Sequence, residues 1–289
     1  MMGIFKNSKE EQQAQSAPKP SGLDGVAQVI AVASGKGGVG KSTVSTNLAV
    51  ALAAEGSKVG LLDADIYGPS QPGMLGAKRS QLDIVNERLE PITKHKVKFV
   101  SMGSLISDDG PVVWRAPMAT KMIMQFLNLV NWGELDYLVI DLPPGTGDVQ
   151  LTLAQQAALT GAIIVTTPQN VALGVAKKGL RMFQQVNVPI LGIVENMSGF
   201  TCSHCGQVTE IFMEGGGKQL AEETGLPYLG AIPLDPAIVQ SGEDGQPLTL
   251  GKADSPGARA FRDLAKNLKE QLKEAAADAV LEPQQVGMA

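Results

Sequence analysis

Three sets of residues in this chain could do chemistry. The first is Gly35-Lys36-Gly37-Gly38-Val39-Gly40-Lys41-Ser42, a full GxxxxGK[ST] pattern with Thr43 behind it. A triphosphate needs several backbone N–H groups converging on it, and glycines let a chain curl closely enough to supply them. A helix opening at the end of the loop adds partial positive charge. Lys41 then reaches the β- and γ-phosphates and the Ser42 hydroxyl ligates Mg²⁺, so ATP binding is expected. Lys36 is a second cation in the loop and, on its own, reads equally as a solvated surface charge.

The second set is acidic. Asp63 and Asp65 end the run KVGLLDAD, and Asp141 ends DYLVID, just before Leu-Pro-Pro-Gly. Ligands of a parallel sheet bind at strand C-termini, so all three carboxylates are expected on the nucleotide edge. Asp141 reads as the residue that holds Mg²⁺ through its water shell. Strand-end aspartates also cap turns and helices, which leaves Asp63 the more ambiguous. The third set is Cys202-Ser203-His204-Cys205-Gly206, with Gly199 ahead of it. No helix is expected straight after the pair, which disfavours a dithiol activated by a helix dipole. A C-x-x-C-G knuckle suits a metal instead. Structural zinc and an iron–sulfur cluster both want four ligands, and one chain supplies two. A two-fold dimer would supply four at its axis. His204 is expected to be a spacer, and His95, among Lys94, Lys96 and Lys98, a surface residue.

Positioning these groups requires a particular frame. Apolar runs at 26–34, 58–65, 136–141, 162–168 and 189–196 alternate with helical stretches at 41–55, 149–159 and 171–186. That alternation predicts βαβ units: an α/β fold, doubly wound, with a mostly parallel sheet and helices on both faces. The segment 82–103 adds a strand or hairpin, 198–212 is a Gly-bounded loop carrying both cysteines, and a helix over about 256–275 closes the core. Residues 1–24 read as a disordered leader, 25–276 as one P-loop domain with its metal loop at 198–210, and 277–289 as a flexible tail. The 289 residues divide into nearly two domains at about 150 each, but a single α/β domain of about 250 is common.

Composition narrows the partners. A 44% apolar fraction supports a sizeable core, and no run approaches a membrane span. The net charge of −5 and pI near 5.2 supply no broad basic face for nucleic acid. Two cysteines in all exclude a disulfide scaffold and point to a reducing compartment, the cytoplasm.

The loop KGGVGKST resembles the deviant phosphate loop of the MinD/ParA-like ATPases. That resemblance implies that Lys36 reaches across a dimer interface to the partner's nucleotide. It also implies that Asp65 orients the attacking water, that Asp63 supports the magnesium shell, and that Asn196 with the backbone near Pro233 recognises adenine. Taken with DADIYGPS, DLPPGTGD, ENMSGF and the C-x-x-C loop in that order, the chain from about 25 to 275 resembles the Mrp/ApbC family of iron–sulfur cluster carriers. The resemblance implies a homodimer that hydrolyses ATP, binds a labile [4Fe–4S] cluster on Cys202 and Cys205, and exchanges it with scaffold and apo-proteins. Many of those relatives carry a small domain ahead of the ATPase, where this chain has residues 1–24. A positioning ATPase needs a basic amphipathic C-terminal helix or DNA affinity, and neither is evident; a dimer with structural zinc stays open as the alternative.

Overall fold

The computed structural model describes residues 20–66, 68–78, 81–105, 116–202, 204–205, 207–251 and 254–281. Most of the expected leader (1–19), the tail beyond 281 and the knuckle glycine Gly206 lie outside the described residues. The chain enters through a single helical turn at Ser21–Leu23 and passes into β1 (Val26–Ser34), α1 (Lys41–Ala54), β2 (Val59–Asp63) and α2 (Gln71–Met74). Four short strands follow: β3 (Asp83–Val85), β4 (Arg88–Glu90), β5 (Ile92–Lys94) and β6 (Val97–Ser101). Next come α3 (Ala116–Leu129), β7 (Leu135–Asp141), α4 (Asp148–Gln156), β8 (Gly161–Thr166) and α5 (Asn170–Gln185). The last part holds β9 (Ile190–Thr201), β10 (Val208–Thr209), α6 (Gly216–Thr224), β11 (Tyr228–Leu234), α7 (Pro236–Glu243), α8 (Leu248–Gly251) and α9 (Pro256–Leu281).

Among the described residues nine strands form one sheet in the order β10-β9-β8-β1-β7-β2-β6-β5, with β11 also on β9. All neighbours are parallel except β10 on β9 and β5 on β6. Crossovers therefore leave β1 in both directions, to β2 through α1 and on to β8, and the strand C-termini share one edge. The central strands are buried on both faces, which explains their continuous apolar runs. In β1, Val29, Ala31 and Ala33 pack into the layer that holds Phe126 of α3, Leu153 of α4, Phe183 of α5 and Leu220 of α6. Ile30 and Val32 face the other layer, with Leu48 of α1, Ile238 of α7, Leu248 of α8 and Phe261, Leu264 and Leu268 of α9. The doubly wound fold expected from the sequence is the one observed.

Four local expectations change. Segment 82–103 makes two hairpins, and β6 joins the main sheet parallel to β2. The expected leader ends early: Leu23 is fully buried in the core and the Ser21 N–H donates to Asn128 Oδ1 of α3 at 3.1 Å. The closing helix continues to Leu281, and its Lys269 pairs with Glu55 at 2.6 Å behind α1. The cysteine segment is no plain loop, because β9 runs on to Thr201 and pairs with β10.

Candidate nucleotide and cysteine sites

The phosphate loop springs from the end of β1 and delivers Lys41 as the first residue of α1. Its curl depends on missing side chains. Gly40 sits at φ +80°, where a Cβ would also fall 2.1 Å from Asn196 Nδ2. A Cβ on Gly35 would meet the Val175 carbonyl of α5 at 2.6 Å. Gly37, Gly38, Val39, Gly40, Lys41, Ser42 and Thr43 line a cavity of about 240 Å³ together with Asp65. A larger cavity of about 870 Å³ adjoins it, sharing Thr43, Ser70 and Met74 and extending to Ile238 and Val239 of α7.

The carboxylates meet at this edge because β2 and β7 are adjacent and in register, Asp63 opposite Asp141. Lys41 Nζ lies 2.6 Å from Asp141 Oδ1 and 3.8 Å from Asp65 Oδ2, with the Ser42 hydroxyl at 3.5 Å. Ser45 Oγ donates to the same Asp141 oxygen at 2.9 Å, and Gln71 Nε2 donates to the other at 2.9 Å. Gln71 is itself held by the Thr46 hydroxyl. The buried Asp141 carboxyl thus accepts from three side chains, Lys41, Ser45 and Gln71, which is how a polar group is tolerated in a core.

Asp63 differs. It is 0% exposed; one oxygen accepts from Ser101 Oγ at 2.8 Å and the other from the Asp65 N–H at 3.2 Å. Burial, reinforced by the Asp141 charge, pushes its carboxyl up to about 8. Asp65 stands past the end of β2 at the rim, where the Gly68 N–H donates to it at 3.3 Å. Sequence reasoning missed Gln71, Ser45 and Ser101: each is an ordinary polar residue given meaning only by its tertiary partner. Lys36 contributes its backbone carbonyl to Ser34 Oγ at 3.0 Å.

Asn196 and Pro233 lie on adjacent strands, Asn196 opposite Ile232, but their side chains meet different surroundings. The Asn196 amide donates to the Val39 carbonyl at 2.8 Å, against the phosphate loop. The Pro233 ring lines a different cavity of about 350 Å³ with Glu195, Lys218 and Tyr228. Further along β9, Cys202 and Cys205 sit at the hairpin tip with free thiols. The Cys202 N–H donates to the Gln207 carbonyl at 2.9 Å, closing the turn. Backbone N–H groups of Cys205 and His204 face the Cys202 sulfur and lower its thiol pKa. Val208, Ile211 and Met213, on the returning side of the hairpin, are exposed.

A family model described as NUBPL iron-transfer P-loop NTPase, of the ParA group, matches residues 25–269. The chain belongs to this family. It is 51% identical over 252 residues to the iron–sulfur cluster carrier protein of Escherichia coli strain K12, covering 87% of this chain and 68% of that one. The Synechocystis protein of the same name is 48% identical over 276 residues, 94% of this chain and 78% of its own length. Among solved structures, a nucleotide-binding protein from Archaeoglobus fulgidus in complex with ADP matches with a TM-score of 0.72 at 40% identity, covering 83% of this chain and 93% of that one. The Pyrococcus furiosus cell division ATPase MinD matches with a TM-score of 0.61 at 22% identity, over 84% and 99% of the two chains, which is a likeness of fold. The resemblance read from the motifs therefore holds. α9 buries Phe261, Leu264 and Leu268 in the core, and among the described residues no helix is long and apolar enough to cross a membrane.

Proposed function

We propose that this chain is a cytoplasmic, homodimeric ATPase that carries a labile [4Fe–4S] cluster on Cys202 and Cys205 and passes it from a scaffold protein to apo-proteins. ATP takes the phosphate loop, where Gly35 to Thr43 supply N–H groups and Lys41 exchanges Asp141 for the β- and γ-oxygens. The oxygen donors Ser42 and Asp141 fit a hard cation, and Mg²⁺ held there neutralises charge on the phosphates. Asp63 supports the magnesium shell from behind, and it also accepts from the Asp65 N–H. Asp65 orients a water for attack on the γ-phosphorus, and ADP leaves with the bridging oxygen. Lys36 stabilises that charge from the partner subunit. Asn196 and the backbone beside Pro233 form the edge of the base site.

The observation that carries the cluster reading is the hairpin tip: a half-buried Cys202 and an exposed Cys205, with N–H groups turned toward the Cys202 sulfur, on a hairpin with uncovered apolar side chains. A cluster wants four thiolates and one chain has two cysteines, so a two-fold axis through the tip completes the set. Covering Val208, Ile211 and Met213 favours the same pairing.

The test is anaerobic reconstitution with iron and sulfide. The carrier should become brown and oxygen-labile and hold about two irons per chain, since one four-iron cluster serves two chains. It should also activate an apo cluster enzyme. Cys202→Ser or Cys205→Ser should remove the cluster from both chains while leaving ATP hydrolysis largely intact. Tightly held zinc at about half an ion per chain, with no cluster transfer, would leave a zinc-stapled dimeric ATPase instead.

A further inference from the structure

The cysteine hairpin is an excursion from β9 whose two legs are held at one point. It departs after Asn196 and returns at Gly215, just before α6. The Glu195 carboxylate accepts from the Gly215 N–H at 2.9 Å, from the Gly217 N–H of α6, and from the Ser198 hydroxyl. Glu195 is 0% exposed, so it grips the outgoing and the returning strands from inside the protein. The next residue, Asn196, hydrogen-bonds the phosphate loop at Val39, and Met197 Cε lies beside Gly40.

Between these anchors and the cysteines β9 is kinked. Asn196 pairs with Ile232 of β11 and Phe200 with Leu234, so three residues of β9 oppose one of β11. Met197 at φ +59° and Gly199 at φ +62° take up the excess in left-handed backbone. Bulges of this kind re-aim a strand, and a non-glycine residue there is a strained joint that its surroundings must hold. The clamp, the phosphate-loop contact, the joint and the cysteine tip therefore follow one another along eight residues, Glu195 to Cys202.

We infer that residues 195–199 are the joint through which nucleotide on the phosphate loop sets the posture of the cysteine hairpin, with Glu195 as the positioning residue that makes the hairpin follow. A shift of Val39 and Gly40 on binding phosphate pulls Asn196 and Met197. Because Glu195 ties the return leg to the same spot, the hairpin swings as a unit instead of absorbing the pull in its loop. The inference rests on the two-site reading above and names the route between the sites.

Glu195→Gln keeps size but lacks one acceptor oxygen, so one of the clamped N–H groups loses its partner. The full-length reconstituted protein should bind cluster and hydrolyse ATP within about twofold of the parent, while the effect of Mg·ATP on transfer rate to an apo cluster enzyme collapses toward one, against the roughly 5- to 150-fold range typical of coupled sites. The ATP-induced change in the visible circular dichroism of the cluster should vanish with it. Ser198→Ala, which removes one clamp bond, should give an intermediate loss and stands in if Glu195→Gln does not fold. Hydrogen exchange supplies a readout that needs no cluster: ATP should alter exchange in the hairpin of the parent but not of Glu195→Gln. A Glu195→Gln protein with undiminished nucleotide response in transfer and exchange overturns the inference. So does a parent that binds both ligands yet shows no effect of one on the other. A parent that takes up no cluster but shows the exchange response overturns the carrier reading and leaves the joint standing.

Discussion

At the scale of single residues, the proposed function divides the work of the nucleotide site between Lys41 and Asp65. Lys41 is buried against Asp141 at 2.6 Å and is the cation deepest in the loop. Lys41→Ala should abolish ATP binding in titration calorimetry; circular dichroism should accompany it, because removing one partner of a buried pair costs about 3–5 kcal/mol. Asp65, at the rim, should behave differently: Asp65→Ala keeps ATP affinity and loses phosphate release. Asp63 makes a prediction about pH. Its carboxyl is raised from 3.8 to about 8 in the fold, so between those values the folded protein holds a proton that the unfolded chain has released. Its contribution to stability is fully present below about pH 4 and is lost as pH rises toward 8. Asp63→Asn, whose amide oxygen can still accept from the Asp65 N–H, should flatten the fall in melting temperature over that window in magnesium-free buffer.

Elements show which parts of the molecule were legible. The strands β1, β2, β7, β8 and the start of β9 are unbroken apolar runs because both faces are covered, and a run of that kind survives translation into sequence unaltered. The phosphate loop is legible because its glycine demands are local. β11 is not, since Gly230 and Pro233 interrupt YLGAIPL; it is tolerated because it pairs only with β9. The end of β9 hides for a similar reason: Met-Ser-Gly reads as a turn, and only the pairing of Phe200 and Thr201 with β10 reveals the strand. The entry turn hides because Pro-Ser-Gly reads as linker while Leu23 is placed by α3, more than a hundred residues away. Leu23→Ala should therefore cost about 2–4 kcal/mol in urea unfolding, as expected for a fully buried leucine and not for a residue in a linker.

The whole molecule poses the question of what a second copy adds. On the proposed reading Lys36, in the phosphate loop, serves the partner's nucleotide, so neither Lys36→Ala nor Asp65→Ala should hydrolyse ATP alone. Mixed in one dimer, they leave a composite site with both residues intact, and a purified heterodimer should recover up to about half of the parent rate, in keeping with catalytic cations supplied in trans. Zero activity in a proven heterodimer would place Lys36 in cis. The excursion that carries the cysteines has a consequence of a different order. Its ends meet at Glu195, within one hydrogen bond of each other, and its tip reaches out from the sheet edge. Joining ends that already touch adds little closure entropy, and chain inserted at such a place disturbs little else. The stretch from 202 to 214 is thus a replaceable head: on the proposed reading its cargo chemistry can diversify while the phosphate loop, the joint at 195–199 and the parallel strands stay unchanged.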